Sequence, residues 1–352
     1  MEWISFITVG SWLSTIASLT GNVYSGRDPV HAEEKALGTI NVLLREMDFK
    51  DVHFLLALAM LRLLMPFADG NVFASKHPDS APECVARVEA IMEPALWAPH
   101  FFNETWTDTV AIAKLTISDL RNALRSRLEK AAWMDVDSRK FALRKLDNTA
   151  IFTGFPDAVS DEKRLNKYYE KYQWDDGEFF RHWINGAFER HQSLIHKQND
   201  VFFSVSAPRV IYAESASWAA VAPALLQPPF FIKDGPDSFN YGSLGQVQYQ
   251  GADDPEDLLA EIDSLSVAYK AFLELPADKR SVVLPGLQFS SSQIFFVAHC
   301  AKMCELSEGI EHGRLTSRTK CVVPLRHEPN FAHAFKCYAG SRMNPEQKCS
   351  VW

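Results

Sequence analysis

The sequence contains no run of lysine and arginine and no basic stretch interleaved with aromatics, the pattern by which a nucleic-acid binder holds phosphate. Its charge balance is acidic, with a formal net charge of −8 and a pI near 5.8, so nucleic acid is not an expected partner. Low-complexity tracts and internal repeats are absent as well, which excludes a linker-dominated chain or a solenoid. No clean apolar run is long enough to span a bilayer. FLLALAMLRLLMPFA (54–68) falls short of the roughly 20 residues required and is interrupted by Arg62, so a buried helix is expected there. The first twenty residues, MEWISFITVGSWLSTIASLT, are apolar apart from Glu2 and lack the positive flank of a secretory signal. Signal-peptide core, membrane anchor and N-terminal helix of the fold all stay open for residues 1–20, and membrane association stays open with them.

Cysteine is scarce and unevenly placed. Five of the six cysteines, Cys300, Cys304, Cys321, Cys337 and Cys349, fall in the last 53 residues, and Cys84 stands apart. Such clustering suggests a stapled C-terminal region, and all six are disulfide candidates. Cys300 and Cys304, one helical turn apart, have a spacing that reaches a metal, but no second pair at zinc-finger spacing completes the set. The sequon Asn-Glu-Thr at Asn103 is a glycosylation candidate and points towards secretion.

What is present is apolar content of 47% over 352 residues, enough for a substantial core and for two lobes. Helical periodicity dominates, with helices expected near 30–47, 52–67, 83–97, 105–131, 138–147 (capped by Asp137), 177–195, 255–274 and 292–306 (opened by Ser291 or Ser292). VFFSVS (201–206) and RVIYA (209–213) read as a short β patch. The expected class is therefore mainly α with a small β patch, α+β. Residues 21–194 form a helical lobe and 195–352 a mixed C-terminal domain.

The only His–Glu pair lies in LRHEPNFAH (325–333) and imitates the opening of an HExxH zinc helix. The imitation fails at once. The position four residues after His327 holds Phe331, and Pro329 starts a helix more readily than it continues one. The pair therefore reads as a surface His–Glu ahead of a short helix.

Longer motifs carry more. AAWMDVDSRKFALRKLDNTAIFTGFPD (131–157), LLQPPFF (225–231), NYGSLGQV (240–247), LPGLQF with QIFF (284–296) and FAHAFKCYAGSRMNPEQKCSVW (331–352) occur in one order along the chain. Together they resemble the neprilysin-type zinc metallopeptidases, which include neprilysin, endothelin-converting enzyme and Kell. The resemblance runs from about residue 80 to the end and leaves the family's N-terminal portion without a counterpart. It implies a helical lobe plus a degenerate, truncated thermolysin-like catalytic lobe, an extracellular or cell-surface location, and descent from a zinc metalloendopeptidase.

The family's chemistry does not carry over residue by residue. Its NYG motif runs into the helix bearing HExxH, whereas NYGSLGQV here continues QYQGADDPEDLLAEID, and HExxH occurs nowhere in the chain. Asp257 falls where the family has its third zinc ligand, and Glu261 where an aspartate orients a ligating histidine. The bland reading of both is a solvated acidic helix face. Arg314 falls at the transition-state histidine, Lys320 at the arginine that grips the substrate carboxylate, and Tyr212 within the motif that holds the substrate backbone. A catalytic zinc needs three protein ligands and an open position, so no cofactor is expected. In the family, the cysteines matching Cys84, Cys304 and Cys337 pair with the N-terminal portion, and that matching Cys349 pairs into the absent block. Cys300 and Cys321 have no family counterpart, which leaves re-pairing among the six or free thiols open. The expected function is a catalytically inactive homologue that binds peptides or a protein partner. The alternative is a truncated or mis-assembled form of an active enzyme. A hydrolase built on the scattered His299, His312, His327 and His333 has no nucleophile motif to support it.

Overall fold

Of the 352 residues, the computed structural model describes 9–28, 34–68, 81–172, 179–196, 201–213, 216–244, 255–304 and 316–349. They divide into two compact units that interleave along the chain. The first comprises Met1–Met92 and Tyr169–Asp200, the second Glu93–Tyr168 and Val201–Trp352.

The first unit is helical: α1 (Val9–Thr20), α2 (Glu34–Glu46), α3 (Phe49–Ala68), the start of α4 (Ala81–Phe101) and α8 (Phe179–His196). Gly186 lets α8 approach α4, since a Cβ there would lie 3.0 Å from Ile91 and 3.5 Å from Tyr172. The Trp183 indole also donates to the Arg87 carbonyl at 3.2 Å. Helix α4 kinks at Met92 (φ −135°, ψ 35°), two residues before Pro94, whose ring cannot share a turn with the carbonyl four residues back. The buried helix expected at 54–68 is corrected. Phe54, Leu56, Met60 and Leu61 of α3 are exposed, because a helix apolar all round needs cover on every side and the described elements of its unit do not supply it. No described helix is long and apolar enough to cross a membrane.

The second unit holds the core. Its helices are α5 (Trp106–Lys130), α6 (Val136–Asn148), α7 (Glu162–Tyr168), α9 (Asp237–Leu244), α10 (Pro255–Leu273), α11 (Ala277–Arg280), α12 (Ser291–Ala301), α13 (Ser317–His327) and α14 (Pro329–Ala334). The cap of α6 is Asp135 rather than Asp137: its carboxylate accepts from the backbone N–H groups of Asp137 and Ser138, both at 2.9 Å. Helix α12 begins one residue earlier than expected, on a capping box in which Ser290 and Gln293 bond each other's backbone N–H. It ends at Ala301 rather than 306. Phe272, Phe295, Phe296, Leu265 and Tyr269 pack into one apolar cluster with Phe331. Ala113 of α5 joins Leu225, Phe231 and Leu244 in another.

The β content is real and RVIYA supplies one strand as expected, but the remaining strands lie elsewhere. Strands β1 (Ala150–Thr153), β2 (Val210–Ala213) and β3 (Trp218–Val221) form one sheet in the order β1–β3–β2. β1 runs parallel to β3, with Ala150 opposite Trp218, and β2 runs antiparallel to β3, with Val210 opposite Val221. VFFSVS is not a strand. Its backbone turns instead onto one carboxylate oxygen of Glu93, which accepts from the N–H groups of Val205 and Ser206 and from the hydroxyls of Ser204 and Ser206, at 2.6–3.0 Å. A charged acceptor competes well for these donors, and a strand ladder loses them.

Candidate functional site

The first five residues of NYGSLGQV, Asn240–Leu244, end α9, and the first of them each have a physical task; 245–247 lie outside the described residues. The Asn240 amide bonds the backbone of Ile232 in both directions, at 2.9 Å each, which fixes the loop after LLQPPFF. The Tyr241 hydroxyl donates to Asp119 of α5 at 2.5 Å, and burial with that carboxylate alongside pushes the phenol well above its usual range. A Cβ on Gly242 would sit 2.2 Å from the Phe295 carbonyl oxygen, so only glycine allows α9 to lie against α12. The motif is a packing device here.

The fourth residue, Ser243, leads to a buried polar cluster. Its carbonyl accepts from the Lys302 ammonium at 3.2 Å, just past the end of α12. One turn back on the same helix, fully buried His299 places Nε2 3.2 Å from the Cys321 carbonyl of α13. That contact assigns the proton to Nε2, and Nδ1 has no hydrogen-bond partner among the described residues. Burial, followed by the Lys302 charge, pushes His299 down to about 3, against the pull of the Cys321 and Lys320 carbonyls. The imidazole is therefore neutral. Desolvation takes Lys302 down to about 7, and the Glu261 carboxylate pulls it back up. A disulfide between Cys300 and Cys321, with Cα atoms 5.0 Å apart, ties α12 to α13 beside this cluster.

Glu261 is thus no part of a solvated acidic face, which corrects the bland reading. It is half-buried in α10, its Oε2 is buried, and its charge acts on Lys302. Asp257 lies one turn upstream in α10, with a side chain outside the described set. Arg314 and His312 also lie outside the described residues. Lys320 is half-buried in α13, directly before the bonded Cys321. Tyr212 sits in β2, with the Lys145 ammonium 5.9 Å from its ring centre. Asn103 is exposed, and its Oδ1 accepts from the N–H and hydroxyl of Thr105. Among the described residues, no group of three or more His, Cys, Asp or Glu could hold a metal ion.

The His–Glu pair is not a surface pair. Glu328 is 3% exposed and caps α14 by accepting from Asn330 N at 3.0 Å and from its amide at 2.7 Å. His327 closes α13, and α14 starts at Pro329 as the proline predicts. Cys84, Cys304, Cys337 and Cys349 carry free thiols, so Cys300 does not serve the metal role considered for the CxxxC pair. Sequence reasoning missed Lys302 and treated His299 only as one of several scattered histidines. Their i, i+3 spacing on α12 was the available signal, and the partner Glu261 lies 41 residues upstream of Lys302.

Profiles of peptidase family M13 match residues 29–156, with an N-terminal profile, and residues 248–351. The first match reaches well upstream of residue 80, so part of the family's N-terminal portion does have a counterpart. An endothelin-converting enzyme homolog of Locusta migratoria is 25% identical over 307 residues, covering 68% of this chain and 42% of the relative. Membrane metallo-endopeptidase-like 1 of Mus musculus is 23% identical over 343 residues, covering 77% and 45%. The chain therefore spans less than half the length of these relatives. Among solved structures, the open state of the Mycobacterium tuberculosis zinc metalloprotease Zmp1 gives a TM-score of 0.64 at 17% identity, covering 97% of this chain and 65% of that one. A Haemonchus galactose-containing glycoprotein complex gives 0.59 at 18% identity, covering 76% and 56%.

Proposed function

The chain belongs to peptidase family M13, and from that premise we propose that it is a non-catalytic member, secreted or displayed at the cell surface, which keeps the scaffold to bind peptides or a protein partner. One observation carries the reading. HExxH is absent from the sequence, and Glu261, which falls where the family's aspartate orients a ligating histidine, is half-buried with its Oε2 enclosed by the chain's own packing.

The residues present do not fit zinc. Zinc takes three protein ligands and leaves a fourth position for water; without it, no bound water is brought to a pKa near 7 and no Lewis acid polarises a scissile carbonyl. The sequence has no HExxH, and of the family's ligand positions only the Asp257 carboxylate stays in register. Peptide binding remains chemically available. Lys320 attracts a terminal carboxylate as a point charge, although it lacks the two-pronged geometry of arginine, and Tyr212 offers a ring. The Cys300–Cys321 disulfide and the Asn103 sequon support an oxidising, extracellular setting.

The test is elemental analysis of the purified chain together with an assay on neprilysin-type peptide substrates. No stoichiometric zinc and no cleavage are expected. About one zinc per chain with chelator-sensitive cleavage would overturn the reading.

A second reading is favoured by the match to less than half of the relatives' length: the sequence is a truncated or mis-assembled form of an active zinc metalloendopeptidase. Transcript sequencing between Val247 and Asp257 tests it, since an in-frame segment encoding HExxH there would establish it.

A further inference from the structure

The C-terminal segment is held by two hydrogen bonds to the end of α13. The Lys348 ammonium donates to the Arg326 carbonyl at 2.8 Å. The backbone N–H of Cys349 donates to Nδ1 of His327, also at 2.8 Å. The second bond demands a particular protonation state. An imidazole nitrogen accepts only through its lone pair, and an imidazolium has none to offer at either nitrogen.

Upstream, the segment is anchored by groups that do not titrate near neutrality. Gly340, in the left-handed region at φ +78°, donates to the Asn344 carbonyl at 2.9 Å, and the Asn344 amide donates to the Cys337 carbonyl at 2.9 Å. His327 is therefore the one titrating acceptor among the described hydrogen bonds of the segment from Gly340 to Cys349.

We propose that His327 is a proton-operated latch on the C-terminal segment: the neutral ring holds the Cys349 backbone, and the imidazolium releases it. The groups around the ring reinforce the switch. Arg326 on its own helix and Lys348 on the segment both place positive charge near it. Glu328 and the Cys337 thiol act on Lys348 rather than on the ring, and Cys349 contributes its backbone. Protonation thus removes an acceptor and also adds a third positive charge beside two others. Burial first, then Arg326 and Lys348, hold the His327 pKa below its ordinary 6.5. The latch is therefore fully stable above about 6.5 and weakens as pH falls from there towards the lower pKa of the folded state.

Amide hydrogen exchange at Cys349 in the full chain, corrected for the intrinsic pH dependence of exchange, reads the latch directly. Protection is expected at pH 7.5, falling by up to about tenfold per pH unit below 6.5 until the folded pKa is reached. His327→Asn keeps an acceptor that does not titrate, so its protection should be flat with pH. His327→Phe should be unprotected throughout, with far-UV circular dichroism reporting whether α13 is intact. The proposal is overturned if wild-type protection is unchanged between pH 7.5 and 5, or if His327→Asn shows the same step.

Discussion

Acid should weaken this protein through one ring, that of His299. Unfolded, the imidazole titrates near its ordinary 6.5; folded, it is fully buried and held down to about 3. Between those values the unfolded chain binds a proton that the folded chain refuses. The resulting stability is complete above about 6.5 and is lost as pH falls towards 3. At roughly 1.4 kcal/mol per pH unit, the whole span is worth about 4–5 kcal/mol, and about 3 kcal/mol of it is gone by pH 4. That is a large share of the roughly 5–15 kcal/mol that holds a typical fold. His299→Gln keeps an amide N–H for the Cys321 carbonyl while removing the titration. Its stability at pH 7 should fall by about 1–3 kcal/mol through imperfect packing and bonding. Its stability should then decline less steeply with acid than that of the wild type. Urea unfolding of both proteins at pH 7, 5.5 and 4, followed by tryptophan fluorescence with the disulfide intact, measures the two slopes. If the variant loses stability as steeply as the wild type, His299 is not buried neutral as described.

Lys302→Met removes the donor to the Ser243 carbonyl and Glu261→Gln removes the charge that acts on Lys302, so each should destabilise by about 1–3 kcal/mol. The double variant should lose less than the sum of the two, and denaturant midpoints of the four proteins measure the coupling. Gly242→Ala drives a methyl group into the Phe295 carbonyl and should cost more than about 4 kcal/mol, seen as loss of soluble expression or of a cooperative thermal transition.

Much of the helical frame was legible because amphipathic spacing, caps and prolines are local signals: Pro329 began α14 as expected, and the expected start of α10 at residue 255 holds. The sheet was not. AIFT and WAAV are four residues each, and the parallel pairing of Ala150 with Trp218 joins positions far apart in sequence, so no local alternation announces either strand. VFFSVS misled because its apolar–polar pattern suits a strand, while the carboxylate that diverts its N–H groups comes from α4. The buried cluster was hidden for a similar reason. A histidine on α12 and a lysine one turn on, just past its end, look like ordinary helix residues until α10 and α13 close around them. The reading of α3 as buried failed in the opposite direction, since apolar sequence states a need for cover without saying what provides it.

The pairing of Lys302 with Glu261 bears on how such a chain can change over time. Their charges act on each other between α10 and the end of α12, so a substitution at one position alters what the other tolerates. The two positions are therefore expected to vary together rather than singly.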